Sequence, residues 1–549
     1  MFRESPVPSP GKGAFDLSNE VDFTARIGQL LPVMWHEVVP GDSFQLRHNM
    51  IIKLAPMLAP VFHRLNAYVH DYFVPYRLLM NPIGTSYAGW EDYITGDVDS
   101  FYANEELPYV TINDTNKQYF DDISLSAYLG LPIIDSGTTV SQDVDINVLP
   151  FFAYHLIYNE YYRDENLCGA VCNKHAGGST GIDLVGGDHN VGISAICLES
   201  PYHRAYEKDY LRGALPTAYT GAASDVELDL DAPDTFYTKG QATGALVTGA
   251  PTAMDIDASG RIEISGGSRV TLDGSSATRL PSSLATIEAM ELRRMMAVTR
   301  WLEAERRGGT RYIEMLLGVW GVIGDNAELQ IPQYIGGGKQ PVQISSVLNQ
   351  SQVLDPTAGV NDGVGGAVVS VDPQSLETGR AIASGSSKQS RFYAKEHGII
   401  MSILSVLPRT KYGGAQLERF WRKADREDFF VPQLQNIGDQ SILQSEAGYD
   451  ATGTDMDDVF GYAPRWSEYK FKNSYVAGYF TNSLDYWHMA TIGDTAGAGP
   501  LLNQSFIECN DQDDEITRIF ANEVGEQIYC FIHNDVRAIR PMFVHDIPK

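Results

Sequence analysis

Between Gln29 and Val74 the chain alternates apolar and polar positions with the period of a half-buried strand. Leu65, Ala67 and Val69 alternate with Asn66, Tyr68 and His70, and successive side chains of a strand point to opposite faces. Pro40-Gly41-Asp42 marks a turn inside this stretch. The period changes over residues 148–163, where Leu149, Ala153, Leu156 and Ile157 share one helical face and Pro150 stands in the first turn, where proline is tolerated. Aromatic residues fill the rest of that helix, which predicts burial on several sides or a place at an interface. The clearest helical pattern is 284–307, with Ile287, Met290, Ala297, Val298 and Trp301 in one stripe. Arg306 and Arg307 complement its C-terminal dipole, and Gly308 can take the left-handed cap. From Gly398 short apolar strands return, and the last of them lies in "YCFIHNDVRAIRPM", residues 529–542.

Long excursions separate these elements. Residues 1–20 read as an extended arm, because Pro6, Pro8, Pro10, Gly11 and Gly13 leave little to pack. Residues 165–200 and 351–390 are Gly-rich loops. Residues 216–280 hold 8 Gly, 9 acidic and 4 basic residues, a net charge of −5. There Val226, Leu228 and Leu230 alternate with Glu227, Asp229 and Asp231, and Ile262 and Ile264 flank Glu263. That is an acidic, hairpin-rich insertion. No internal repeat is visible. The pattern predicts a mainly β fold, a β-sandwich whose strands are separated by long insertions carrying a few helices. The expected division is an arm over 1–20, a first sandwich portion with a helical insertion over 21–215, the variable insertion over 216–280, and the remaining strands over 281–549. Long loops of this kind are usually functional.

Charge and cysteine content narrow the classes. The chain has 549 residues and a formal net charge of −29. Phosphate binding needs a local excess of Lys and Arg, so the molecule as a whole is not a nucleic-acid neutraliser. Five cysteines in a chain this long do not make a disulfide framework. The N-terminus lacks the apolar core of a signal peptide, and the longest apolar stretch, Gly398–Leu407, is about half the length a membrane helix needs. These features predict a soluble protein made in a reducing cytoplasm.

Each local motif with catalytic or metal-binding residues falls short of its chemistry. Cys168, Cys172 and His175, with His189 and Cys197 nearby, are zinc-ligand types, but the spacing is loose and no second knuckle completes it. Gly177-Gly178-Ser179-Thr180-Gly181 has the letters of a nucleophile elbow without the strand before it or the helix after it. Gly336-Gly337-Gly338-Lys339 lacks the upstream glycine of a phosphate loop and has Gln340 in place of its Ser/Thr, so it reads as a flexible turn. Asp511, Asp513, Asp514 and Glu515 lack the glycine of a calcium loop and read as a solvated acidic loop. No catalytic residue, cofactor or metal site is therefore expected. Residues 391–426 differ: eight basic residues face three acidic ones, a net +5. Arg419, Arg422, Lys423 and Arg426 interleave with Phe420 and Trp421, a composition suited equally to nucleic-acid backbone and base contact or to an ion-paired subunit contact.

Several stretches together resemble one family. "FDLSNE" (15–20), "EVVPGDSF" (37–44), "LAPMLAPVFHRLNAYVHDYFVPYRLL" (54–79), "WEDYITG" (90–96), "LPFFAYHLIYNEYYRDENL" (149–167) and "KDYLRGALP" (208–216) resemble the N-terminal half of Microviridae major capsid proteins, the gokushovirus-like branch in particular. "RGGTRYIEML" (307–316), "PQYIGGG" (332–338), "EHGIIMSILSVLP" (396–408), "FGYAPRWSEYKFK" (460–472) and "VRAIRPMF" (536–543) continue it in order. The resemblance implies an eight-stranded viral jelly roll and a structural, non-enzymatic protein. It implies a T=1 icosahedral shell of sixty copies around a circular single-stranded DNA bacteriophage genome. Minor virion proteins, including a small basic DNA-associated one, and a host surface receptor are the further partners it implies. A large variable insertion forms threefold protrusions in such proteins, and 216–280 is the candidate, but "TAYTG" follows Pro216 where Trp-Pro is expected and the Cys-bearing loop 165–200 does not align, which leaves the placement open between these two loops. The aromatic helix 149–162 and the N-terminal arm are the expected subunit contacts.

Overall fold

In the computed structural model the described residues are 11–80, 90, 94, 107–135, 137–140, 142–171, 199–218, 254–256, 262–264, 268–269, 289–308, 330–349, 376–413, 416–435, 438–449, 456–492, 500–510, 513–521 and 525–542. The chain divides into two compact units, one formed by Met1–Ala218 with Gly308–Lys549 and the other by Tyr219–Arg307. In the smaller unit, Met254–Ile256, Ile262–Ile264 and Ser268–Arg269 form an antiparallel ladder in which Ile262 pairs with Ile256 and Glu263 with Asp255. The helix predicted over 284–307 is observed over Ala289–Gly308.

The larger unit is built on ten strands: β1 (Gly13–Asp16), β2 (Asn19–Ala25), β3 (Leu31–Val38), β4 (Ser43–Leu54), β5 (Leu65–Pro75), β6 (Gln333–Asn349), β7 (Leu376–Ser386), β8 (Ser390–Tyr393), β9 (Gly398–Pro408) and β10 (Ile528–Arg540). The order across the sheet is β1-β10-β4-β7-β6-β5-β9-β3, with β2 also on β10 and β8 also on β4. All pairings are antiparallel. The sheet curls at β6. Its first half, Gln333–Val342, pairs with β5, and its second half, Gln343–Asn349, pairs with β7. The result is a sandwich of two antiparallel layers joined along one long strand, the jelly-roll type with insertions. Among the described residues strand structure begins at Gly13, so part of the expected arm, residues 13–16 and 19–20, is paired to β10.

The interior follows from the alternation. In β4 the inward positions Phe44, Leu46, Met50, Ile52 and Leu54 are buried, and the intervening ones are largely open. β10 alternates in the same way. β5 and β9 are buried on nearly every residue. Their second face lies under α1 (Leu149–Ile157), which continues as a π-turn to Tyr162. Tyr72, Val74, Ile399, Met401 and Ile403 pack there with Phe151, Phe152, Tyr154 and Ile157. Each such side chain contributes roughly 1.5–3 kcal/mol when fully buried. Aromatic hydroxyls need partners inside, and Tyr154 donates to the Leu30 carbonyl at 2.8 Å. α1 therefore spends its aromatic faces within its own chain. The expectation that it serves as a subunit contact is corrected on that ground.

One polar row crosses the sandwich interior between two apolar clusters. It joins His48 of β4, Asp71 of β5, Ser402 of β9 and Asn534 of β10. His48 Nε2 is 2.8 Å from Asp71 Oδ1, and His48 Nδ1 is 2.7 Å from Asn534 Oδ1. Ser402 Oγ donates to Asp71 Oδ1 at 2.8 Å, and Ser390 Oγ to Asp71 Oδ2 at 3.2 Å. The Asn534 amide nitrogen donates to the Val33 carbonyl and to Asn19 Oδ1, both at 3.2 Å. That orientation turns its oxygen toward His48, which favours the doubly protonated, charged ring. Burial opposes this charge, but the Asp71 hydrogen bond and charge, aided by Asn534, outweigh it and raise the His48 pKa.

Candidate subunit and genome contact surface

The segment Glu418–Phe430 is held by two short 3-10 turns, Arg419–Arg422 and Arg426–Asp428. Asp428 Oδ2 accepts the backbone N–H groups of Ala424 and Asp425, each at 2.9 Å, and fixes the second turn. Tyr210, which shares a cleft with this segment, belongs to a small apolar cluster with Leu211, Tyr412, Ile442 and Phe460. On this base the four predicted cations have different fates. Arg419 donates to the Ser441 carbonyl at 2.8 Å and lies 3.8 Å from Glu446. Arg422 reaches Asp457 at 2.6 Å. Lys423 donates to the Tyr469 hydroxyl at 2.8 Å, lies 3.7 Å from Glu468, and has a side chain only 4% exposed. Arg426 is exposed. The +5 of the sequence window is therefore largely answered by Glu446, Asp457 and Glu468, acids outside that window. Burial raises the Glu446 pKa, with the Tyr210 hydroxyl donating to it at 2.7 Å.

The aromatic residues of this segment do remain open. Phe420 is 62% and Trp421 73% exposed. With Phe429, Tyr469 and Phe471 they line a cleft of about 520 Å³. Large exposed aromatics rimmed by polar groups mark contact surfaces. The arrangement offers flat apolar walls, with Lys423 4.2 Å from the Tyr469 ring centroid.

The other motifs resolve as follows. Cys168 is buried, with its backbone N–H on the Asp164 carbonyl and its own carbonyl on Arg163. Burial raises its thiol to about 11. Cys172, His175, His189, Cys197 and the 177–181 motif lie outside the described residues. Among the described residues no group of His, Cys, Asp or Glu is arranged to hold a metal ion. Gly336, Gly337 and Gly338 are not a flexible turn. They lie in β6 against β5, where a side chain on Gly337 would strike the Val69 carbonyl. Their constraint is close backbone approach, and Lys339 is tied to Glu207 at 3.0 Å. Glu515 is not solvated either: it accepts from Thr491 Oγ1 at 3.0 Å, and burial raises its pKa. Asp511 is outside the described residues.

Residues 6–549 match the capsid protein (F protein) family. The chain belongs to that family. It is also similar to three curated proteins named capsid protein VP1. The one from Bdellovibrio phage phiMH2K is 27% identical over 100% of this chain and 97% of the relative. The one from Chlamydia phage 1 has the same identity and coverage. The one from Spiroplasma virus 4 is 23% identical over 89% of this chain and 86% of the relative. The resemblance read from the motifs is thus upheld, and the chain is a structural capsid protein and not an enzyme. As a capsid protein it assembles with itself and resides in the virion. Among the described residues no helix is long and apolar enough to cross a membrane.

The row His48–Asp71–Ser402–Asn534 was missed by sequence reasoning. Its signal was present: His48 and Asp71 occupy inward positions of otherwise apolar alternation.

Proposed function

We propose that this capsid protein closes a T=1 icosahedral shell of sixty copies around a circular single-stranded DNA bacteriophage genome. The observation that carries this is the family match over 6–549 on a jelly-roll sandwich. Shell closure follows from repeated heterologous contacts whose rotations close. Assembly takes place in the host cytoplasm, with minor virion proteins that include a small basic DNA-associated one. That partner answers a chain charge of −29, which opposes DNA condensation. The acidic segment 216–280 forms the outward threefold protrusion and meets the host receptor. Phe420 and Trp421 with Arg426 form an interior contact for the genome, in which Arg419, Arg422 and Lys423 hold the loop in shape.

Sedimentation and negative-stain imaging of the purified chain test the shell directly. Closed particles of uniform diameter are expected, and a small oligomer at all concentrations contradicts the reading. Removing residues 1–14 is expected to lower particle yield more than subunit stability. Unchanged yield contradicts the role of the arm.

A further inference from the structure

The face of β10, β4 and β8 that points away from the sandwich core gathers cations far apart in sequence. Directly paired residues of antiparallel strands project to the same face. Register therefore places Asp16, Arg537, Gln45 and Arg391 in one row. The next row holds Asp535 and Arg47, and the row on the other side holds Ala14, Ile539, Ser43 and Tyr393. Neighbouring strands lie about 4.8 Å apart, so Arg391 and Arg537 stand about 10 Å apart with Arg47 on the strand between them. All three arginines are exposed, Arg537 to 73%. Arg47 Nε donates to Ser386 Oγ at 2.7 Å and has no carboxylate partner among the described residues. Lys12 stands over the Tyr393 ring at 5.7 Å, and Lys388 is exposed in the turn before β8. The counter-charges are Asp535, 3.6 Å from Arg537, Asp16, which stands opposite Arg537 and is engaged by Ser18, and, one row further along the same face, Glu20, 3.4 Å from His533.

Four cations, Arg47, Arg391, Arg537 and Lys12, thus share these rows with three carboxylates, on a chain whose net charge is −29. Like charges this close repel in the free subunit, and a polyanion relieves that repulsion. The strip at 419–426 differs, because its cations are mostly consumed internally. We infer that this open sheet face binds the phosphate backbone of single-stranded DNA, with Arg47, Arg391 and Arg537 as phosphate ligands and Tyr393 as a stacking platform. The inference rests on the genome-enclosing reading above and assigns the contact to residues that reading does not name.

Fluorescence anisotropy of the purified full chain with a short labelled thymidylate oligonucleotide, titrated at several salt concentrations, tests it. Three lost phosphate contacts flatten the log–log salt slope by about two and weaken binding about a hundredfold near 0.1 M salt, so R47E/R391E/R537E is expected to behave that way. R47Q/R391Q/R537Q, the gentler change, is expected to lose binding in the same direction with an unchanged unfolding midpoint. F420A/W421A/R426E, which removes the exposed groups of the 419–426 strip and leaves its internal ion pairs, is expected to lose less. Wild-type binding by both arginine variants, with loss confined to the 419–426 variant, overturns the inference and leaves the genome reading standing. Variants that bind the oligonucleotide normally but no longer form particles overturn it too, because the face is then a contact between copies. A wild-type chain that binds no oligonucleotide even at low salt defeats direct genome contact itself.

Discussion

The outer face of the β5–β9 layer and the outer face of the β4–β10 layer are treated in opposite ways. On the first, Tyr72, Val74, Ile399, Met401 and Ile403 are sealed beneath α1. On the second, Ile51, Tyr529, Ile539, Arg47 and Arg537 are exposed. Strand sequence records the difference. β9, GIIMSILSVLP, is an almost unbroken apolar run because both of its faces are covered. β4, SFQLRHNMIIKL, alternates because only one is. The sealed face holds the subunit together. The open face can be changed at little cost to folding, and it is the one proposed to meet DNA.

The contrast can be broken hardest from the inside. Asp71→Ala leaves His48 buried without the carboxylate that raises its pKa, a loss of about 3–5 kcal/mol. Phe151→Ala empties the contact of α1 with β9, a loss of about 3–5 kcal/mol. Denaturant unfolding of the isolated subunit reads both, and a change below that of a surface substitution in either removes the claim for that region.

Two histidines sharpen the picture with opposite pH signatures. The folded-state pKa of His48 is raised. Its contribution is complete below the unfolded value of about 6.5 and is lost as pH rises through the folded value. His63 is held down to about 3, chiefly by burial and then by the Lys411 charge. Its Nε2 faces the Arg409 carbonyl at 2.6 Å, and its Nδ1 accepts from the Met489 N–H at 3.3 Å. The unfolded chain takes up that proton first, so stability is lost as pH falls from about 6.5 toward the folded value. Melting temperature against pH should show an alkaline fall that His48→Gln flattens and an acid fall that His63→Gln flattens. Limbs unmoved by these substitutions would contradict the assignment.

The smallest effect is expected on the open face. Ile51→Ala should shift subunit stability by no more than about 0.5 kcal/mol. A shift several times larger in the same unfolding measurement would mean that the face is not open.

Much of this was legible in the chain. Alternation placed β3 to β5 within 29–74, Pro150 and the Leu149–Ile157 stripe placed α1, and the ordered motifs carried the family. Two things were not. A window count over 391–426 could not see Glu446, Asp457 and Glu468, which fold onto Arg419, Arg422 and Lys423 from other segments. Nor could it see that Arg47, Arg391 and Arg537 meet, because strand register brings them together across nearly the whole chain. The glycine run 336–338 misled for a related reason, since close packing and flexibility select the same residue.

The orientation of the sandwich in the assembled particle is the most direct test, by electron cryo-microscopy of genome-filled shells. The β4–β10 outer face is expected to turn to the lumen, with nucleic-acid density against Arg47, Arg391 and Arg537. Finding that face on the exterior of the shell, or buried against a neighbouring copy with no density beside it, would rule out its role in genome contact.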